Sequence, residues 1–230
     1  MVKVLELDPR HRIKLEAVYI KLVEVYGNPT WRNPLPPIDE LVSTILSQNT
    51  NDTNRDQAFF ALKSAYPRWE DVRDANLDLI IEKIRIAGLA NQKGAHIKGA
   101  LREISAAQGY LSLEFLKDLS IEEARVWLTN LKGVGPKTAA IVLLFSMGIP
   151  AFPVDTHIYR VSGRIGFRPL NINVEKTHAY LEAIGQPEWF YSLHLNLIRL
   201  GRETCHARKW NCDCCPVIKL CAFEDKIQTG

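Results

Sequence analysis

Leu131-Lys132-Gly133-Val134-Gly135-Pro136-Lys137-Thr138-Ala139 is the stretch whose reading decides the fold, because two helices meet there across a glycine hairpin that ends in a lysine. Upstream, Ser120 and Glu123 form a Ser-x-x-Glu capping box, and Ala124, Trp127, Leu128 and Leu131 recur at helical spacing, which predicts an amphipathic helix. Gly133 and Gly135 permit a tight turn with positive φ. Pro136 suits the first turn of a following helix, where an amide proton would have no partner anyway. That second helix is expected to run through Ala139 to Met147. The amides of Gly133, Val134 and Gly135, together with the free N–H groups of the helix start, make a concave donor surface suited to a phosphate.

Outward from the hairpin, the same helical period recurs along the chain. Pro9 to Tyr26 carries apolar residues at Ile13, Val18, Leu22 and Val25 and is closed by Gly27. Asn28 to Pro37 holds four prolines and reads as an irregular link. A helix over Ile38 to Ser47 follows, then the polar run Gln48-Asn49-Thr50-Asn51-Asp52 as a surface turn, then a helix with Ala58, Phe59, Leu62 and Ala65. Asn76 can cap a helix over Leu77 to Ala87, and Leu89-Ala90-Asn91-Gln92-Lys93 leads into another reaching Gln108. Beyond the hairpin, Ile149 to Pro153 interrupts the pattern. Helices are expected over Thr156 to Ile165, Val174 to Ile184 and Glu188 to Leu200, with Asp155 at the start of the first. No segment shows the alternating period of a strand, so the fold class is all-α.

At 230 residues and 47% hydrophobic content, the chain can bury one large or two small cores. No apolar run reaches the roughly 20 residues of a membrane span. Met1 to Asp8 lacks the apolar centre of a signal peptide, so a cytoplasmic protein without a membrane partner is expected. A net charge of +3, from 29 Lys and Arg against 26 Asp and Glu, is too small by itself to indicate nucleic acid. The distribution is more informative: five basic residues (Arg199, Arg202, Arg208, Lys209, Lys219) and two acidic ones (Glu203, Asp213) lie between Arg199 and Cys221.

All five cysteines lie in that segment, which disfavours a disulfide framework and favours one local metal site. Cys205, Cys212, Cys215 and Cys221 are spaced C-x6-C-x2-C-x5-C, with Cys214 as an extra thiol. A compact single loop suits an iron–sulfur cluster better than a structural zinc, whose usual arrangement is two separated knuckles. Arg208 and Lys209 lie between the first two cysteines, where they are either an ordinary solvated surface or a contact to a phosphodiester backbone. Lys137 is either a surface lysine or a nucleophile. At a helix start it faces the positive end of the macrodipole, which favours the uncharged amine that Schiff-base chemistry requires. Asp155 reads as an N-cap, a role compatible with catalysis.

The hairpin L-K-G-V-G-P-K-T-A, the segment V-D-T-H-I-Y-R-V with its aspartate 18 residues after Lys137, and the C-x6-C-x2-C-x5-C tail together resemble the endonuclease III family, helix-hairpin-helix DNA glycosylases that carry a [4Fe-4S] cluster. The resemblance runs from about Leu41 to Cys221. It implies two helical lobes flanking a DNA-binding cleft, one formed by residues 30–149 and containing the hairpin, the other by residues 1–29 with 150–230 and containing the cluster loop. The implied activity is base excision with AP lyase cleavage of damaged pyrimidines in double-stranded DNA, by a monomer.

Carried over by position, Lys137 matches the nucleophile that attacks the sugar C1′, and Asp155 the aspartate that supports cleavage of the glycosidic bond. Leu89 matches a residue that wedges into the duplex. Asn49 falls where a relative places a glutamine that fills the gap left by the flipped base, and neighbouring Gln48 is the alternative. Cys205, Cys212, Cys215 and Cys221 match the cluster ligands, leaving Cys214 as a bystander. Gly133, Val134 and Gly135, with Arg208 and Lys209, are the expected backbone contacts. Two other functions stay open at this point: a monofunctional uracil or thymine mismatch glycosylase, and a non-catalytic damaged-DNA-binding protein. His157, Tyr159 and His194 are set aside as packed and hydrogen-bonded side chains.

Overall fold

The computed structural model describes residues 6–29 and 34–227. Residues 30–33, in the middle of the expected link and at the expected lobe boundary, and residues 1–5 of the amino-terminal stretch lie outside the described residues. Among those described, eleven α-helices and no strand are found. They are α1 (Pro9–Tyr26), α2 (Pro37–Ser47), α3 (Asp52–Ala65), α4 (Trp69–Asp74), α5 (Leu77–Ile84), α6 (Ala90–Gln108), α7 (Ile121–Asn130), α8 (Pro136–Ile141), α9 (Thr156–Ile165), α10 (Val174–Ile184) and α11 (Phe190–Glu203). The chain divides into two compact units, residues 33–149 and residues 1–32 with 150–230.

In the 33–149 unit, α2 is the central rod. Ile38, Leu41, Val42, Ile45 and Leu46 are all buried, and the helix touches α3, α6 and α8. Each such side chain, fully buried, contributes roughly 1.5–3 kcal/mol, so tertiary packing rather than propensity holds these short helices. The longest helix of the unit, α6, buries Ile97, Ala100, Leu101 and Ile104 and packs closely on α5, where a Cβ at Gly94 would come within 3.1 Å of Ile81. Start signals worked at two helices: the side chains of Asn76 and Ser120 accept from the amides of Asp78 and Glu123, and Glu123 returns the bond to close the capping box. Asn51, expected only as part of a surface turn, also caps a helix, accepting from the amide of Asn54.

Several boundaries differ from expectation. The helix expected to reach Ala87 ends at Ile84 and tightens into a 3-10 turn, Arg85–Ala87. The short α4 has no sequence counterpart, because under two turns leave room for only two buried apolar residues, Trp69 and Val72. The hairpin's second helix is regular only to Ile141 and continues as a π turn over Val142–Ser146, closed where the amide of Ile149 donates to the carbonyl of Leu143 at 2.9 Å.

The other unit packs α1 on α10 and α11, and α9 on α11. The buried stripe of α1 is Leu15, Val18 and Leu22. Ile13 is 68% exposed and Val25 49% exposed, so the apolar face expected of this helix is corrected to one that includes Leu15. The Tyr19 and Trp189 rings stack 4.8 Å apart, and Asn196 Nδ2 donates to the carbonyl of Gly27 at 3.0 Å, fixing both ends of the α1–α11 contact. The Phe152 and Phe190 rings meet edge to face in the core. The last long helix, α11, is preceded by a 3-10 turn, Pro187–Trp189.

Candidate functional site

At the hairpin, Gly133 has φ +87°, and a Cβ there would lie 2.2 Å from His96 Nδ1 on α6. Glycine is required twice, for the backbone angle and for the close approach. Gly135, by contrast, sits at φ −94° and ψ 177°, an extended cap that any residue could adopt, which corrects the expectation of positive φ at both glycines. Val134 anchors the turn instead of offering a free donor: its side chain is 5% exposed, and its amide donates to the carbonyl of Leu131 at 3.0 Å. The amide of Gly135 and those of the first turn of α8 have no acceptor within the hairpin or helix. His96 Nδ1 is buried without a hydrogen-bond partner among the described residues, and burial, then the nearby charge of Lys132, pushes its pKa down, so a neutral ring supports the turn.

Lys137 is exposed, one residue after Pro136 in the first turn of α8. That helix start has no side-chain cap, so positive potential and an amine meet there. In the same unit, Gln48 Nε2 donates to the carbonyl of Gly133 at 3.0 Å, whereas Asn49 is exposed with φ +52°. Leu89 is 54% exposed with φ +50°, at the start of α6. The structure therefore ties Gln48 to the hairpin and leaves Asn49 and Leu89 as outward-facing side chains held in left-handed backbone.

In the second unit, Asp155 is the N-cap of α9, its Oδ1 accepting from the amide of Ile158 at 2.8 Å. The segment that delivers it is held by three side chains. The amide of Phe152 donates to Glu182 Oε1 at 2.7 Å, while Nδ1 of His178 and of His194 each donate, at 2.9 Å, to the carbonyls of Phe152 and Pro153. Both histidines are thus packed and hydrogen-bonded as expected for His194, and they also position Asp155. Tyr159 donates to the carbonyl of Ile172, with the Arg168 guanidinium 3.8 Å from the ring centre. Nδ1 of His157 lies 3.1 Å from Arg160 Nη2.

Cys205, Cys212, Cys215 and Cys221 line one small cavity walled by Ile165, Leu200, Val217, Ile218 and two aromatic rings. Cys214 does not line it; its thiol lies on the exposed side, 3.6 Å from the carbonyl of Asn211. Burial raises the thiol pKa of Cys212 and pushes that of Cys215 up to about 11, with the neighbouring cysteines adding to both shifts. Among the described residues no group of three His, Cys, Asp or Glu side chains stands at metal-binding geometry, yet the donor set, four sulfurs in an apolar enclosure, suits an iron–sulfur cluster or zinc.

A residue that sequence reasoning missed organises this loop. Arg164, on α9, donates to the carbonyls of His206 and Ala207 at 2.6 and 3.2 Å, and lies against the Trp210 and Phe223 rings at 4.9 and 4.6 Å. The only local signal was an arginine on the polar side of an amphipathic helix. Its partners lie 42 and 43 residues away. Arg208 and Lys209 are exposed on the same loop, Lys209 with φ +55°.

Comparison with known proteins gives these arrangements a context. The family described as HhH-GPD superfamily base excision DNA repair protein matches residues 42–187. An endonuclease III from Sulfolobus acidocaldarius is 34% identical over 185 residues, covering 80% of this chain and 80% of its own length. A candidate DNA glycosylase from Arabidopsis thaliana is 37% identical over 172 residues; the match covers 75% of this chain but only 59% of the plant protein. Among solved structures, a non-covalent endonuclease III–DNA complex superimposes with a TM-score of 0.78 at 25% identity, over 92% of this chain and 95% of that one.

Proposed function

This chain belongs to the endonuclease III family of helix-hairpin-helix base excision DNA repair proteins, and from that premise we propose that it is a DNA glycosylase with associated AP lyase activity on damaged pyrimidines in double-stranded DNA. The observation that carries the reading is an exposed Lys137 in the first turn of an uncapped helix, directly after a glycine hairpin with open amides. A bifunctional glycosylase needs an accessible amine as its nucleophile, and Lys137 supplies one at that position.

In this mechanism the hairpin amides hold the phosphate backbone, and their hold sets where Lys137 points. The Lys137 Nζ lone pair attacks C1′ of the damaged nucleotide. The C1′–N bond breaks, and the base leaves with its electron pair and takes up a proton. Loss of the amine proton and opening of the sugar give a Schiff base. Removal of a C2′ proton then expels the 3′ phosphate, and hydrolysis returns the lysine. The Asp155 carboxylate, fixed in direction by its bond to Ile158, stabilises the positive charge that develops at C1′. Reaching these groups requires the nucleotide to leave the stack, at a cost of a few kcal/mol.

The four cavity-lining cysteines would hold a [4Fe-4S] cluster, whose contribution is structural: it would fix the loop that carries Arg208 and Lys209. The chemistry of the donor set supports that assignment. No helix among the described residues is long and apolar enough to cross a membrane. We propose a monomer acting on nucleoid DNA in the cytoplasm.

A panel of duplexes with different lesions, scored separately for base release and strand nicking, tests the reading. Both products from at least one oxidised pyrimidine are expected. Base release without nicking would favour the monofunctional alternative, and binding without either product the passive one.

A further inference from the structure

Lys93 is 2% exposed, the most enclosed charged side chain on α6, and no chemistry described above uses it. Its Nζ donates to two carbonyls from separate elements, Leu46 and Ala87, each at 2.7 Å. Leu46 lies in the last turn of α2, two residues before Gln48. Ala87 closes the 3-10 turn, two residues before Leu89. The other last-turn carbonyls of α2 are already engaged: Thr44 by Ser47 Oγ, Ile45 by the amide of Gln48, and Ser47 by the amide of Thr50. The Lys93 amine thus completes the cap of α2, where a cation is also favoured by the helix dipole. The Lys93 backbone amide donates to the carbonyl of Leu89 at 2.9 Å, so this one residue grips the wedge turn twice.

One of the two turns that Lys93 holds, at Leu89, is strained. Asn49 and Leu89 are two of the three non-glycine residues with positive φ among those described, and they follow its two acceptors closely in sequence. Asparagine tolerates left-handed backbone, but at leucine it persists only where the surroundings impose it. Side-chain packing does not impose it at Leu89, which lines an open hollow with Ile81, Arg85, Asn91 and Gln92. Gln48 extends the chain of bonds to the hairpin through the carbonyl of Gly133.

We propose that Lys93 is a positioning residue that joins the Gln48–Asn49 turn and the Leu89 turn into one rigid device, so that the two side chains enter a damaged duplex together. The inference rests on the DNA-repair reading above and adds how the flipped state is held. An apolar side chain of similar length would leave two buried carbonyls without donors and free the two turns to move independently. The deficit then belongs only to substrates that must be unstacked.

The test compares wild type with Lys93→Met on an abasic site placed either in a duplex or in the same strand alone, and follows 2-aminopurine fluorescence opposite a tetrahydrofuran abasic analogue in a duplex. For Lys93→Met, duplex cleavage is expected to fall about 10- to 100-fold, the scale of a small misplacement, and the fluorescence rise seen with wild type to vanish. Single-strand cleavage is expected to stay near wild type. Equal loss on both substrates, or unchanged duplex cleavage, overturns the proposal. If Lys93→Met does not fold, Gly88→Ala takes its place. Gly88 has φ +70° with nothing near its would-be Cβ, so that substitution displaces the turn through its backbone alone. The same duplex-only loss is expected, and wild-type behaviour overturns the idea. A wild-type protein that neither binds nor cleaves abasic DNA instead refutes the underlying function.

Discussion

Two helix starts twenty positions apart solve the same problem in opposite ways. α8 begins at Gly135 without any side-chain cap, leaving its first-turn amides open and placing the amine of Lys137 among them. α9 begins at Asp155, whose carboxylate closes the start from within. An unpaired helix start attracts an anion, so the first is open to a phosphate from outside, while the second carries an anion of its own. Their supports differ too. The hairpin is shaped by neighbours in sequence and by two contacts at Gly133, the close approach of His96 and the hydrogen bond from Gln48 to its carbonyl. The Asp155 segment is held by Glu182, His178 and His194, all 26 or more residues away.

Substitutions at the two starts should therefore fail differently. Lys137→Gln removes the nucleophile, and strand nicking at an abasic site is expected to drop by on the order of 10³-fold or more, with no loss of thermal stability, since Lys137 has no hydrogen-bond or ion-pair partner among the described residues. Retained nicking would place the nucleophile elsewhere. Asp155→Asn sharpens the contrast, because Asn caps as well as Asp. Melting temperature should hold while single-turnover base release falls about 10²- to 10³-fold. A parallel loss of stability and activity would reduce Asp155 to a cap.

The hairpin should yield to a smaller change. Gly133→Ala must accept both φ +87° and a contact with His96, so a destabilisation of about 1–3 kcal/mol is expected, measurable by denaturant unfolding and accompanied by weaker DNA binding. Gly135→Ala, at an extended backbone with open space, should cost far less. At the cysteine loop, iron and acid-labile sulfide in the purified protein should be lost in Cys221→Ser and kept in Cys214→Ser, whose thiol lies outside the cavity. Zinc in place of iron would overturn the cluster assignment.

The contrast between the two starts also marks where the sequence was legible. Caps at Asn76, Ser120 and Asp155 could be read directly, because a cap and its amide lie two or three residues apart. The all-helical class followed from periodicity for the same reason. Lys93 could not be found this way, since its acceptor at Leu46 lies 47 residues off and nothing local distinguishes it from a surface lysine. Arg164 and His178 are equally silent in sequence. The buried face of α1 was misread because apolar residues surround that helix on several sides, and periodicity cannot tell which stripe a partner covers. The π turn after Ile141 is a choice of backbone register that leaves no mark on composition.

The most direct measurement is the position of the covalent link. Wild-type protein should be incubated with abasic-site duplex and borohydride, digested, and the modified peptide sequenced by mass spectrometry. An adduct on Lys137, absent from the Lys137→Gln protein, is the expected result. An adduct on Lys132 or another amine, or none at all, would contradict a lysine nucleophile at the open start of α8.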